Sequence, residues 1–298
     1  MFWIIHSAIS LGILWGIMSL GVYITFRVLN FADLTVDGSF TLGGAVSAVL
    51  AARGVNPLLA VLIAMIGGMI AGLSTGLLNT KLKIPGLLAS ILTQIALYSI
   101  NLRSMGSPNI PLLRVPTIFT WLENIGFPTR WISMTVGILF MTGVIALMYW
   151  FFGTEIGSAI RATGDNPHMI RALGVHTDTT IILGLVMGNA LVALSGGLIA
   201  QQQGYGDIGM GTGAIVIGLA AIIIGEVLFT QRNFMFRLLA VIFGSIVYRI
   251  VITLVLRLGL KSTDLKLFTA VLVALALYLP VMRSEIRQYK QRRRKINA

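Results

Sequence analysis

The chain has no cysteine among its 298 residues, which removes disulfides, thiolate metal sites and thiol nucleophiles and leaves the redox compartment open. Charge is scarce as well: 11% of residues are Asp, Glu, Lys or Arg, against 56% hydrophobic. A soluble domain of this size needs far more polar surface to cover its core. No G-x-x-x-x-G-K-[ST] phosphate loop is present, so the chain does not hydrolyse ATP itself. His6, His168 and His176 are too scattered for a metal site, and none is assigned. The absence of a His/Glu constellation or a nucleophile–base spacing also argues against a membrane-embedded enzyme. No Lys or Arg precedes the first apolar stretch and no small-residue cleavage site follows it, so that stretch is expected to stay as a helix.

What is present is a series of long apolar runs. Crossing about 30 Å of hydrocarbon at 1.5 Å per residue takes about 20 apolar residues. Charge-free runs of that scale cover 1–26, 54–80, 84–102, 131–152 and 179–206, and shorter ones cover 38–52, 208–225, 238–248 and 267–282. The expected architecture is an all-α integral membrane protein of about nine transmembrane helices, within a range of about 8 to 10. Residues 1–282 are expected to form a single transmembrane domain, and 283–298 a basic tail. The shorter runs, bounded or interrupted by Asp37, Glu226 and Arg249, are expected to be tilted, broken or protein-buried, with broken helices near 30–45 and 201–215.

The net charge of +12 would suggest nucleic acid in a soluble protein, but the basic residues flank the apolar runs. The tail residues Arg283, Arg287, Lys290, Arg292, Arg293, Arg294 and Lys295 directly follow a run, as expected beside anionic lipid. Placing Lys81 and Lys83 in the cytoplasm puts Arg27, Arg161, Arg171, Arg232, Arg237 and the tail there too. The smaller set, Arg53, Arg103, Arg114, Arg130, Arg257, Lys261 and Lys266, then lies outside. This bias predicts an outside N-terminus and a cytoplasmic C-terminus. The proline-bearing stretch 104–130 would be an outer loop with little regular structure.

The cytoplasmic stretch 153–177 is the most informative. Gly164 ends one short helix, Asp165 or Asn166 caps the next, Pro167 suits its first position, and Gly174 closes it. Met169, Ile170, Ala172 and Leu173 allow one apolar face, with Arg161 and Arg171 available. Such a pair of helices either seats in a groove on a soluble partner or rests on lipid.

The string "AIRATGDNPHMIRALGV" resembles the cytoplasmic coupling loop of ATP-binding-cassette (ABC) importer permeases of the branched-chain amino acid and ribose type. Residues 21–54, "GVYITFRVLNFADLTVDGSFTLGGAVSAVLAARG", are similar to that superfamily's N-F-A-x-G…GA signature. The Asp33-Leu-Thr-Val-Asp-Gly38 version is similar to permeases of tryptophan-type importers. The resemblance runs from about residue 6 to 282. It implies a pair of permeases, a homodimer by the same resemblance, docked on two cytoplasmic ATPases and fed by an extracytoplasmic substrate-binding protein. ATP and magnesium would sit in the ATPases, with no cofactor on this chain. It also implies that Gly157, Arg161, Ala162, Gly164, Asp165, Asn166, Pro167, Arg171, Leu173 and Gly174 form the ATPase-coupling element, and that the solute is a small molecule, first an aromatic amino acid such as tryptophan.

Polar residues at membrane depth are costly and point to the bundle interior or a water-filled path. Asp33 and Asp37, four apart, either cap a half-helix near the inner rim or cradle a cation or amino group, and capping is the simpler reading. A faint match at an offset of 174 aligns this region with the stretch around Gln201 to Gly213, as inverted repeats with opposed broken helices would. Asn30, Asp33, Asp37, Gln94, Asn101, Asn189, Gln201 and Asp207 are the candidate lining residues, although amides in bundles commonly just bond neighbouring helices. Glu226 and Arg249 are expected to pair across helices. Glycines four apart, as at Gly12 and Gly16, Gly68 and Gly72, and Gly184 and Gly188, allow close helix approach. The alternative function is an ion-coupled secondary transporter using Asp33, Asp37 and Glu226, but it leaves 153–177 unexplained.

Overall fold

In the computed structural model, the described residues are 2–229 and 233–257, with 267–271, 274, 275 and 278 beyond them. Among the described residues eleven α-helices and two short strands are defined along the chain. They are α1 (Phe2–Tyr23), which runs on into a π-helical turn (Ile24–Val28), α2 (Thr35–Ala52), α3 (Pro57–Thr80) and α4 (Gly86–Met105). Next come β1 (Asn109–Pro111), α5 (Ile118–Asn124), α6 (Thr129–Phe152), α7 (Glu155–Asp165) and α8 (Pro167–Ala172). The rest is α9 (Thr177–Gln203), β2 (Tyr205–Asp207), α10 (Ala214–Leu228) and α11 (Phe234–Arg257).

The helices lie where the apolar runs predict, and among the described residues six stretches are long and apolar enough to cross a membrane. Those are Trp3–Val28, α2, α3, α6, α9 and α11. The run 84–102 becomes the 20-residue α4. The run 208–225 yields only the 15-residue α10, whose length of about 22 Å falls short of a full crossing. The run 267–282 is helical at 267–271 and otherwise mostly outside the described residues, as are Arg232, Lys261, Lys266 and the basic tail.

Two expectations are corrected here. Stretch 104–130 is not irregular: β1 pairs antiparallel with β2, Ile110 opposite Gly206, and Thr117 and Thr120 close a reciprocal capping box at the head of α5. The short run 238–248 belongs to a 24-residue helix, α11, that carries Arg249 inside it. Its guanidinium sits over the Trp15 ring, 4.6 Å from the centroid, so the charge is carried on an aromatic face.

Helix α9 is the axle. Every residue from Gly188 to Gln201 is buried, and α1, α2 and α3 pack around it. Glycines make this possible, because a Cβ at Gly43 would collide with the Ala193 carbonyl and one at Gly68 with the Asn189 carbonyl. Helices α10 and α11 pack on each other beside α1. Helix α1 runs opposite to α9: Ser195 Oγ donates to the Leu14 carbonyl at 2.8 Å, while Gly184 meets Leu29. Helix α2 runs parallel to α9, with Ser39 at Asn189 and Ser47 at Gln201. One end of the bundle therefore carries α7 and α8, and the other carries the β1–β2 ribbon.

The glycine contacts generate a paired prediction. Gly43→Ala should lower the thermal unfolding midpoint of detergent-purified protein, with a cost of about 1–3 kcal/mol from overpacking. Gly143→Ala, where a Cβ meets nothing within 4 Å, should leave it unchanged or slightly raised.

Candidate functional site

Two helices begin at one point inside the bundle and run apart. Helix α2 starts at Thr35 and heads to the ribbon end, whereas α10 starts at Ala214 and ends with Glu226 against Arg27 of the π-helical turn. The first N–H groups of a helix lack intrahelical partners, and at this depth water cannot be assumed to supply them. Asp37, in the first turn of α2, supplies them for α10: Oδ2 accepts from Gly213 N at 2.9 Å and Oδ1 from Ile215 N at 2.9 Å. Gly213, at φ +82°, turns the chain into α10 in the left-handed region. Thr41 Oγ1 accepts from Gly211 N at 3.1 Å, and a Cβ at Gly211 would strike the Asp37 carbonyl.

Asp33 faces the other way. Its Oδ1 accepts from Thr35 N at 3.0 Å and its Oδ2 from Asn189 Nδ2 at 2.7 Å. Asn189 Oδ1 in turn accepts from Ser39 Oγ at 2.7 Å. Thr35 and Thr75 hydroxyls lie 2.7 Å apart, and Thr75 donates to Thr93 at 2.9 Å. A string of hydroxyls thus ties α2, α3 and α4 beneath the break. Asn189 is roughly 18 Å of helix from Thr177, near the middle of α9. Asp33 is therefore at mid-bundle depth, not at the rim where the sequence placed it, because the chain folds back inward through residues 29–34 before α2 begins.

The other expected lining residues divide. Asn30, exposed and at φ 53°, marks the break itself. Asn101 Nδ2 donates to the Gly38 carbonyl at 3.2 Å, and half-buried Gln94 flanks the same glycine on α4. Gln201 is fully engaged, accepting from Ile118 N and donating to Ser47 and to the Pro57 carbonyl, which clips α5, α2 and α3 to α9. Asp207 accepts from Gly209 N at 2.7 Å in the ribbon turn. Sequence reasoning missed Ser39, Thr41, Thr35, Thr75 and Thr93, single hydroxyls whose partners lie on other segments of the chain. It also mispaired Glu226, which bonds Arg27 Nε at 2.7 Å rather than Arg249.

At the opposite end, α7 and α8 form an elbow. Asn166 caps α8, its Oδ1 accepting from Met169 N at 3.1 Å, with Pro167 first in the helix and Gly174 at φ +86° beyond its end. Gly164 does not stop α7, which continues to Asp165. It is required because a Cβ there would strike the Val28 carbonyl of the π-helical turn. Neither arginine is free. Arg161 donates to the Phe152 carbonyl at 2.7 Å, and Arg171 donates to Thr177 Oγ1 at 2.6 Å beside Asp178. The elbow presents three large apolar side chains outward, Ile156, Met169 and Leu173, 53, 50 and 71% exposed, among the exposed polar residues Glu155, Asp165, Asn166 and His168.

Residues 4–279 match the family described as branched-chain amino acid transport system, permease component. The chain belongs to this family of ABC importer permeases. The permease is 40% identical over 269 residues to the tyrosine transport system permease protein of Clostridioides difficile, covering 90% of this chain and 88% of that one. It is 30% identical to the autoinducer 2 import system permease protein LsrC of Yersinia pestis, over 68% of this chain and 56% of the relative. Its fold is shared with PsaBC from Streptococcus pneumoniae in complex with Fab, at a TM-score of 0.50 and 16% identity, covering 92% of this chain and 89% of that chain. The permease is a multi-pass protein of the bacterial inner membrane and a translocation subunit, and the family implies ATPase and substrate-binding partners.

The cap across α2 and α10 makes a graded series. Asp37→Asn keeps one acceptor oxygen and should retain folded permease with reduced uptake. Asp37→Ala strips both bonds, should cost about 1–2 kcal/mol, and should lower folded yield and uptake together. Folded yield by size-exclusion fluorescence and whole-cell uptake check the two readouts.

Proposed function

We propose that the permease carries an aromatic amino acid, delivered by an extracytoplasmic binding protein, inward along the path where α2 and α10 diverge. It works as a homodimer of about nine-span subunits with outside N-termini and cytoplasmic tails, each elbow seated in a cleft of one of two cytoplasmic ATPases. ATP and its magnesium are held by those ATPases. The observation that carries this reading is the elbow: a capped, glycine-fitted pair of helices bolted to the bundle from within, yet offering bare apolar side chains outward. Helix-in-groove docking uses such a face. The substrate class is supported by the identity to the tyrosine transport permease, which exceeds that to LsrC.

In this arrangement Gly157, Ala162, Gly164, Asp165, Asn166, Pro167 and Gly174 shape the elbow, Arg161 and Arg171 brace it, and Leu173 with Met169 makes the contact. The ion-coupled alternative loses its acids. Asp33, Asp37 and Glu226 are each occupied by donors of the protein's own chain, which leaves little coordination for an ion.

Leu173→Asp tests the docking. The side chain is 71% exposed, so the substitution should leave folding unchanged. The partner ATPase should no longer co-purify, and uptake should fall about tenfold or more, as for a lost interface anchor. Normal co-purification and uptake in Leu173→Asp together with Met169→Asp would remove the elbow from the interface.

A further inference from the structure

Of the arginines in the spanning helices, Arg249 is the anomaly. It sits well inside α11, its Nε is enclosed, and its guanidinium makes no hydrogen bond or ion pair among the described residues. The Trp15 ring holds one face of it at 4.6 Å, and the Trp15 indole N–H is likewise enclosed without an acceptor. A cation at this depth is expensive, and it is kept where it meets a counter-charge or serves a path. No carboxylate of the described residues fills that place. Asp33, Asp37 and Glu226 are committed elsewhere.

Arg249 lines a cavity of about 360 Å³ between α10, α11 and the helical residues 267–271. That is within the roughly 300–1,000 Å³ typical of small-molecule sites. Thr212, Gly213, Val216 and Ile217 line it from the α10 side and Tyr248, Arg249 and Ile252 from α11, with the Tyr248 hydroxyl 3.3 Å from Thr269 Oγ1. The cavity abuts Gly213 at the head of the broken helix α10, whose free N–H groups Asp37 already occupies, so Arg249 is the cation the cavity presents. Sites of this kind, beside discontinuous helices within the bilayer, are where transporters hold solute.

We propose that this cavity is a binding site for the transported amino acid, with Arg249 reading its α-carboxylate and Val216, Ile217 and Ile252 receiving its side chain. Arginine suits the task because its planar fork engages both carboxylate oxygens, while stacking on Trp15 fixes the plane of the fork. The inference rests on the amino-acid importer reading and adds to it the group that is recognised. An amine lacking the carboxylate is not held.

The chain has no cysteine, so Ile252→Cys, and separately Thr269→Cys, places one thiol on the cavity wall. The complete transporter, reconstituted with its ATPase and binding protein, is labelled with a thiol-specific maleimide. L-Tyrosine should slow labelling, and tyramine should not, because lacking the carboxylate partner of a desolvated charge weakens binding by about thirtyfold or more. Arg249→Gln should abolish the protection and lower uptake at unchanged folded yield, and Arg249→Lys should restore part of both. Asp264, outside the described residues, supplies the competing explanation of an internal ion pair. If Asp264→Asn reproduces the Arg249→Gln loss, and the double variant is no worse than either, Arg249 is a structural partner and the inference falls. It falls equally if tyrosine uptake is intact but labelling is unprotected, or protected as well by tyramine. Failure of the cysteine variants' parent to take up any aromatic amino acid would overturn the importer's substrate assignment, and this site with it.

Discussion

The permease depends on one arrangement of hydrogen bonds: the Asp37 carboxyl, on the first turn of α2, satisfying the N–H groups at the head of α10. A helix that starts in the middle of an apolar bundle exposes donors that neither lipid nor packed side chains accept. By borrowing its cap from the neighbouring broken helix, α10 can begin there, and α2 and α10 become one unit whose halves point to opposite ends. Gly211 and Gly213 exist to let that approach happen, the first by having no Cβ to strike Asp37 and the second by its left-handed φ.

The same unit is connected to the elbow by a closed circuit of contacts. Gly164 of α7 rests on Val28 of the π-helical turn, whose neighbour Arg27 bonds Glu226 near the far end of α10. The head of α10 bonds Asp37, and α2 is tied through Asp33 and Asn189 to α9, which begins at the elbow. On the proposed reading, force applied at Leu173 and Met169 reaches both broken helices without crossing a loose segment. The π-helical turn, which ends the first helical stretch beside Gly164, is a natural place for that motion to be absorbed.

Much of this was legible in the sequence because it is local. Asn166 and Pro167 announce the start of α8 from adjacent residues, and the apolar runs announce the helices by length alone. The partners of the buried polar groups were not legible, since they lie far away in the chain. Asp37 meets Gly213, Glu226 meets Arg27 rather than Arg249, and Gln201 meets Ile118, Ser47 and Pro57, each decided by how helices stack. Gly164 was read as a helix terminator by its type, whereas the close passage of Val28 is what requires it. The faint repeat between 32–50 and 206–224 pointed to two broken helices with opposed directions, but not to their depth. Depth follows from the register of Asp33 against Asn189 at mid-α9, which no hydropathy window contains.

The central claim is that a nucleotide-driven partner, acting at the elbow, moves solute past the junction of α2 and α10. The most direct measurement is uptake of radiolabelled L-tyrosine into vesicles containing purified permease and its ATPase, with the binding protein supplied on the substrate-loading face. Accumulation that requires ATP and the binding protein, and that persists when proton and sodium gradients are collapsed, is the predicted result. Accumulation driven by an imposed ion gradient without ATP would contradict the account.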